Sequence, residues 1–337
     1  MGVFNIAILE KFKDSPSSPA AIENKRLSQP QHLSKQQNNH QYIGRFAPSP
    51  SGSLHFGSLI AATASYLCAK SVQGKWLLRI EDVDKFRIKE NSIASIIHTL
   101  ETYGYEWDDS ILYQSQRYEA YEEALLSLKE LVYPCSCTRK FLKSQSPLGT
   151  YGYIYPGYCR KKISHSEPSQ FAIRLRTNDT FVYFNDDCQN EMTQRIESEV
   201  GDFIIKRSDK MFSYQFAVVV DDEYQNITEV VRGSDLLDNT PRQLYLQQCL
   251  QYKQPNYLHF PTAVTNDGKK LSKQNHAPEV GERKKRQTIL STLDFLGQKP
   301  PSLENFSSIK DIWQWAIKHW DRNKIPKQMT LPENYPR

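Results

Sequence analysis

The feature that most constrains the fold is a short apolar strand that runs into a proline- and glycine-rich turn and then into a long apolar helix. Residues 42–47 have the β-prone pattern, and the prolines at 48 and 50 end the strand. Residues 57–69 continue as a helix with no internal breaker. Such a unit directs free backbone N–H groups and the positive end of a helix dipole towards one point. The sequence therefore predicts a nucleotide phosphate site at this helix entrance.

The usual phosphate-binding motifs, G-x-x-x-x-G-K-[ST] and G-x-G-x-x-G, do not occur at this turn. Instead, His55 stands at the helix entrance in the segment H-F-G-S. An isolated H-x-G-S is also compatible with an ordinary loop histidine at a helix end. Directly upstream lies R-F-A-P-S-P-S-G at 45–52, and the two segments together resemble the HIGH signature of class I aminoacyl-tRNA synthetases in its glutamyl form, with Ser58 in place of the final histidine.

Length, charge and cysteine content limit the class of protein. The 337 residues with 39% hydrophobic content are enough for one large and one small domain, and no apolar run reaches membrane-spanning length. Six unevenly spread cysteines argue against a secreted disulfide framework. The net charge of +5 permits an RNA partner without requiring one. We expect a monomeric, cytoplasmic protein with no membrane partner.

The predicted organisation places two halves of one nucleotide-binding domain on either side of an insertion. Residues 1–40 are polar and aperiodic and predict a disordered extension. The first half spans 41–134, the insertion 135–212 and the second half 213–278. A short helical region follows at 279–337, with a basic patch and a Trp-rich helix.

Patterns of apolar and polar residues predict the helices and strands of these parts. Amphipathic helices around 93–100 and 118–132 are predicted to pack in the core without a chemical role. Residues 171–176, 181–184 and 203–207 predict antiparallel strands of the insertion. The apolar run at 213–222 predicts a buried strand of the central sheet. The resemblance implies an α/β fold: a Rossmann-type parallel sheet of the class I synthetases with an inserted α+β, zinc-containing subdomain and a short helical C-terminal region.

Charged residues follow the second predicted strand, 76–80, at the edge of the sheet where ligands bind in doubly wound folds. The segment R-I-E-D-V-D at 79–84 is similar to the glutamyl branch, in which the residue matching Glu81 holds the amino group of the amino acid. Further on, Arg232 lies in R-G-S-D-L; it is compatible with a surface arginine, but the resemblance implies that it binds substrate. The glutamate-binding residues that the resemblance implies are Arg45, Ala47, Ser49, Glu81, Tyr214 and Arg232.

A pair of arginines gives a physical reason for selecting glutamate. Guanidinium groups match carboxylates in bidentate geometry, so Arg45 and Arg232 would favour glutamate over glutamine. A neutral amide would leave one buried arginine unpaired, which supports strong discrimination.

The segment K-L-S-K at 270–273 resembles the KMSKS signature, with Gln274 in place of its last serine. A lysine-rich turn is often only a solvated loop. In this family, however, it closes over ATP, and the charge that develops as a carboxylate attacks the α-phosphate requires pre-placed donors. Lys273 and His55 are the predicted catalytic residues, with Mg²⁺ bridging the phosphates. The ATP-binding residues that the resemblance implies are His55, Gly57, Ser58, Lys270, Ser272 and Lys273.

Three cysteines in the predicted insertion have spacing suited to a metal. Cys135 and Cys137 form a C-x-C pair, and Cys159 follows further along. Ordinary buried cysteines remain the alternative. The short glutamyl-synthetase-like family has a C-x-C…Y-x-x-x-C zinc site, which makes Tyr155 the implied fourth ligand; a phenolate is an unusual ligand, so His165 is the reserve candidate.

The residues after 279 are too few for the long anticodon-reading region of a glutamyl-tRNA synthetase. The chain therefore resembles the short glutamyl-queuosine tRNA(Asp) synthetase family, which implies ATP, L-glutamate and queuosine-bearing tRNA(Asp) as partners. Two alternatives stay open: a truncated glutamyl-tRNA synthetase that charges the acceptor end, and a catalytically idle RNA- or zinc-binding module. A nucleotidylyltransferase of the wider HIGH superfamily is a more distant option.

Overall fold

The computed structural model describes residues 41–150, 152–161, 171–265, 268–271, 279–281 and 283–333. The extension predicted at 1–40 lies outside these ranges, as do His165, Ser272 and Lys273. Within the described part of the chain, no helix combines the length and the apolar character needed to cross a membrane.

The elements alternate between strands and helices along much of the chain. The strands are β1 (Ile43–Phe46), β2 (Lys75–Ile80), β3 (Asp108–Tyr113), β4 (Val132–Cys135), β5 (Leu148–Gly149), β6 (Gly152–Tyr153), β7 (Ala172–Leu175), β8 (Phe181–Asp186), β9 (Asn190–Arg195), β10 (Phe203–Lys206), β11 (Glu229–Gly233), β12 (Asn256–Phe260), β13 (Thr262–Val264) and β14 (Thr330–Pro332). The α-helices are α1 (Phe56–Lys70), α2 (Ser92–Thr102), α3 (Tyr118–Ser127), α4 (Arg139–Gln145), α5 (Ile196–Glu199), α6 (Tyr214–Tyr224), α7 (Thr240–Leu250), α8 (Lys285–Phe295) and α9 (Ile309–His319).

The strand–turn–helix unit predicted at the start is confirmed as β1 followed by α1. β1, β2 and β3 form a parallel sheet, with Arg45 opposite Leu77 in the register. A second sheet holds β11 and β12 in parallel, and β1 meets β11 through the Thr228 amide, which donates to the Ile43 carbonyl at 2.9 Å. Because these strands run in the same direction, their carboxyl ends lie at one edge, where α1 begins.

Two strand predictions need correction. The run at 213–222 forms helix α6, because a short apolar stretch with buried residues on all sides fits a buried helix as well as a buried strand. The strand predicted at 181–184 is β8, which pairs antiparallel with β9 but also parallel with β12, and therefore extends the second sheet. The alternation of exposed and buried residues along β8 indicates which face of the strand is buried. It does not indicate which strands pair with β8.

The segments that flank the cysteines form a separate small sheet, in which β4 and β10 both pair antiparallel with β7. In the C-terminal region, α9 starts at a capping box in which Ser308 and Asp311 bond reciprocally. The indole of Trp313 donates to the Tyr103 carbonyl at 2.9 Å and packs on Tyr105. This contact fixes the C-terminal helices against α1 and the first sheet.

Candidate active site and cysteine cluster

A cavity of about 810 Å³ opens where the carboxyl ends of the two parallel sheets meet the start of α1. Its walls include the predicted residues that fall within the described chain: Arg45, Ala47, Ser49, His55, Gly57, Ser58, Glu81, Tyr214, Arg232 and Lys270. The structure therefore gathers residues from five separate segments of the sequence around one cavity.

The entrance of α1 is shaped by close packing of its histidine. His55 occupies the N-cap in extended conformation, and its carbonyl accepts from the amides of Ser58 and Leu59 at 2.9 and 3.1 Å. A Cβ on Gly57 would lie 3.1 Å from the imidazole Cε1. Glycine thus lets the ring lie against the first turn of the helix, where the dipole favours an anion.

Arg45 is already engaged with a carboxylate that the sequence pattern did not single out. Its Nε and Nη2 lie 3.1 and 3.3 Å from the two oxygens of Asp222, and Arg79 Nη2 lies 2.7 Å from the same carboxylate. Burial opposes ionisation of Asp222, but the two guanidinium groups hold its pKa below the usual range. Asp222 therefore links Arg45, which lines the cavity, to Arg79 behind it.

Glu81 faces the same network from the end of β2. Its Oε1 is 3.8 Å from Arg79 Nη2, and the residue is only 9% exposed. Burial raises the pKa of Glu81 to about 7, in spite of the opposing charges of Arg79 and Arg45. The carboxyl group is thus poised to ionise when a cation enters the cavity.

Arg232 has a different environment. Its Nε donates to Nε2 of His259 at 2.9 Å, and its Nη2 donates to Oγ1 of Thr240 at 2.8 Å. Nη1 is buried and has no hydrogen-bond partner among the described residues. A buried guanidinium that lines a cavity and keeps one donor unsatisfied is suited to bind a carboxylate.

The R-G-S-D-L segment and the start of the 270–273 segment contact each other in the cavity wall. Lys270 Nζ lies 2.5 Å from Oδ2 of Asp235, which belongs to the R-G-S-D-L segment. A Cβ on Gly233 would approach Asp235 Oδ1 to 2.4 Å, so the glycine makes room for this carboxylate. The pair joins the beginning of the 270–273 segment to the end of β11.

The cysteines predicted as metal ligands also converge. The sulphurs of Cys135, Cys137 and Cys159 all lie within 4.8 Å of one another, and that of Cys137 is 3.6 Å from that of Cys159. The Tyr155 hydroxyl is 3.5 Å from Cys135 Sγ and 3.6 Å from Cys137 Sγ. In a tetrahedral zinc site, with Zn–S near 2.3 Å and Zn–O near 2.0 Å, two sulphurs lie about 3.8 Å apart and a sulphur and an oxygen about 3.5 Å apart. The four side chains therefore fit one ion.

A buried arginine lies against this cysteine cluster. Arg174 Nε is 3.2 Å from Cys135 Sγ, and its guanidinium carbon lies 3.8 Å from the centre of the Tyr155 ring. Its Nη1 donates to the Asp202 carbonyl at 2.6 Å, which fixes its position. Neither Arg174 nor Asp222 was a predicted site residue. The sequence signal for Asp222 is the Asp-Asp pair that interrupts the apolar run at 216–220.

Comparison with known proteins agrees with this geometry. Residues 43–325 match the family "tRNA synthetases class I (E and Q), catalytic domain". A glutamyl-Q tRNA(Asp) synthetase of Pseudomonas fluorescens is 48% identical over 294 residues, which are 87% of this chain and 96% of the relative. The enzyme of the same name from Dechloromonas aromatica is 44% identical, over 87% of this chain and 98% of the relative.

Solved structures show the same fold at lower identity. A glutamate tRNA ligase of Elizabethkingia meningosepticum, solved in complex with its amino acid, aligns with a TM-score of 0.72 and 24% identity over 88% of this chain and 68% of that chain. The resemblance drawn from the motifs is thus confirmed. This chain belongs to the glutamyl-Q tRNA(Asp) synthetase family of class I tRNA synthetases.

Proposed function

We propose that this chain activates glutamate with ATP, without needing tRNA, and transfers the glutamate to the queuosine base at the anticodon wobble position of tRNA(Asp). The observation that carries the proposal is the alignment of this chain with almost the full length of relatives that bear this enzyme name. The cavity supports it, because cationic and anionic groups stand where an amino acid and a nucleotide would be held.

In the first half-reaction, Glu81 pairs with the ammonium group of glutamate. Arg45 and Arg232 face the side-chain carboxylate, and Arg232 binds it with Nη1. Tyr214, Ala47 and Ser49 complete the wall around the amino acid. The α-carboxylate of glutamate attacks the α-phosphorus of ATP, and pyrophosphate leaves. Mg²⁺ bound with ATP would offset part of the charge of the phosphates.

His55 and Lys273 stabilise the charge that develops on the triphosphate, from the helix entrance and from the 270–273 segment respectively. Gly57 and Ser58 bind ATP at the first turn of α1, and Lys270 and Ser272 bind it from the opposite side. In the second half-reaction a hydroxyl of the queuosine cyclopentene diol attacks the glutamyl carbonyl carbon. An ester forms and AMP leaves.

We further propose that Cys135, Cys137, Tyr155 and Cys159 hold one structural Zn²⁺. The matched sulphur and oxygen separations support this set, and Tyr155 rather than His165 is the fourth ligand in it. The apolar core of this region is limited, so Zn²⁺ bound there would have a structural role and would need no open coordination position. We assign residues 135–212 to the RNA-facing insertion, between the two halves of the nucleotide-binding domain, and we expect a cytoplasmic monomer.

Pyrophosphate exchange followed by transfer tests the function. Exchange is measured with glutamate, aspartate and glutamine in the absence of RNA, and only glutamate should support it. Labelled glutamate is then offered with queuosine-bearing tRNA(Asp), queuosine-free tRNA(Asp) and tRNA(Glu), and only the first should be labelled. Label on the terminal ribose of tRNA(Glu) would instead identify an acceptor-end synthetase, and exchange that requires tRNA would contradict independent activation.

A further inference from the structure

We propose that His259 and Asp186 are positioning residues that aim Arg232 at the substrate carboxylate through a neutral imidazole. This inference rests on the proposed function, since it concerns how the same cavity selects glutamate. Neither residue lines the cavity, so both would act through Arg232 and would not touch substrate.

Asp186 fixes one side of the His259 ring. Its Oδ1 accepts hydrogen bonds from the backbone amides of Cys188, Gln189 and His259 at 3.0, 2.8 and 3.1 Å. Its Oδ2 lies 2.6 Å from Nδ1 of His259. Bonds to the ionised form hold the pKa of Asp186 below its usual range even though burial opposes this. A carboxylate can only accept, so Nδ1 of His259 carries a proton.

The other ring nitrogen must then be an acceptor. Nε2 of His259 lies 2.9 Å from Nε of Arg232, and a guanidinium N–H can only donate. A proton on Nε2 would point at the N–H of Arg232, so the hydrogen bond between Arg232 and His259 would be lost. The charged groups around the ring are Arg232 from β11, Asp186 from β8 and Asp235 from the turn after β11. Burial, reinforced by Arg232, lowers the pKa of His259 to about 4, which keeps the ring neutral.

Because the His259 ring is neutral, it does not offset the positive charge of Arg232. Arg45 is held by the carboxylate of Asp222, which offsets its positive charge within the protein. Arg232 is held by an uncharged imidazole and an uncharged hydroxyl, that of Thr240, so its positive charge stays available. Two of its donors are fixed, while Nη1 has no partner among the described residues. The contact with His259 therefore orients Arg232 without neutralising it, which favours glutamate over glutamine.

Two substitutions of His259 separate this role from simple packing. The amide nitrogen of asparagine can take the place of Nδ1 and donate to Asp186, but His259→Asn leaves no acceptor for Nε of Arg232. The longer glutamine can place an amide oxygen near the position of Nε2, so His259→Gln should restore that acceptor. Both variants are measured by glutamate-dependent pyrophosphate exchange and by thermal unfolding.

We expect His259→Asn to raise the glutamate KM about tenfold to a hundredfold, as for a lost hydrogen bond to a charged group, with ATP KM and kcat within about twofold. His259→Gln should recover most of this loss, and discrimination against glutamine should fall only in His259→Asn. If His259→Asn does not fold, Thr240→Val supplies the second variant, because it removes the Nη2 acceptor and should raise the glutamate KM by a smaller factor.

Equal losses in the two His259 variants, or unchanged glutamate KM in folded His259→Asn, would overturn the inference and leave the proposed function intact. No glutamate-dependent exchange in the unsubstituted protein would overturn both.

Discussion

The cavity and the cysteine cluster differ in how their buried polar groups are paired. Next to the cavity, Asp222 pairs with Arg45 and Arg79, so the protein supplies both signs of charge itself. In the cysteine cluster, four side chains turn their sulphur and oxygen atoms towards one another at the separations expected around an ion. The charged groups of the cavity are thus paired within the protein, whereas the cluster, as we propose, depends on a cation.

This difference predicts that the two regions respond separately to substitution. Changes in the cavity should alter adenylate formation or the stability of the nucleotide-binding part while metal content stays constant. Changes in the cysteine cluster should alter metal content and transfer to RNA while pyrophosphate exchange persists.

The largest expected effect is on stability. Asp222→Asn would leave Arg79 and Arg45 buried without their shared carboxylate, so the free energy of unfolding should fall by about 3–5 kcal/mol. Urea denaturation measures this. Asp235→Asn is the matched control, since its half-exposed pair with Lys270 should cost at most about 1 kcal/mol. An equally small loss for Asp222→Asn would show that the cavity is not organised by its internal ion pairs.

The next effect is on the rate of activation. His55→Ala removes the donor that we propose stabilises charge in the transition state, so kcat for pyrophosphate exchange should fall about a hundredfold or more, which is close to 3 kcal/mol. The glutamate KM should change little, and Lys273→Ala should behave in the same way. His98→Ala, an exposed histidine on α2, serves as the control. Unchanged kcat with a raised ATP KM would instead assign His55 to ground-state binding.

A moderate effect is expected beside the cysteine cluster. Arg174→Met would remove the guanidinium that donates to Cys135 and stacks on Tyr155, so zinc affinity should fall about tenfold to a hundredfold. Competition with a chelator measures this. Arg176→Met, an exposed arginine nearby, should keep its metal. Loss of pyrophosphate exchange in Arg174→Met at saturating zinc would contradict the separation of the two regions.

The smallest effect concerns pH. Burial raises the pKa of Glu81 to about 7, and only the ionised form can pair with the ammonium of glutamate. Lowering the pH below 7 protonates Glu81, so the glutamate KM should rise by up to about tenfold per pH unit. Glu81→Gln should have a high KM that does not vary over this range. A flat profile in the unsubstituted protein would remove Glu81 from amino-acid binding.

Sequence reasoning succeeded where the pattern determines local structure. The prolines and glycines around 48–57 mark the end of β1 and the start of α1, as predicted. The motif residues within the described chain line one cavity. It failed at 213–222, where the valine-rich run fits a buried strand and a buried helix equally well. That error hid the role of Asp222, whose carboxylate contacts Arg45 and Arg79 from helix α6.

The contacts of His259 and Arg174 were also beyond sequence reasoning. Each acts on a residue far away in the chain, and neither belongs to a local motif. Pairings of this kind depend on how β8, β11 and β12, or β4 and β7, come together.

Cys135→Ser tests the separation of the two regions most directly, with bound zinc, pyrophosphate exchange and transfer to queuosine-bearing tRNA(Asp) measured on the same preparation. Cys249→Ser, a cysteine outside the cluster, is the matched control and should retain all three. We predict that Cys135→Ser loses zinc and transfer while exchange with glutamate stays within about twofold of the unsubstituted protein. Stoichiometric zinc in the variant, or lost exchange with intact transfer, would contradict it.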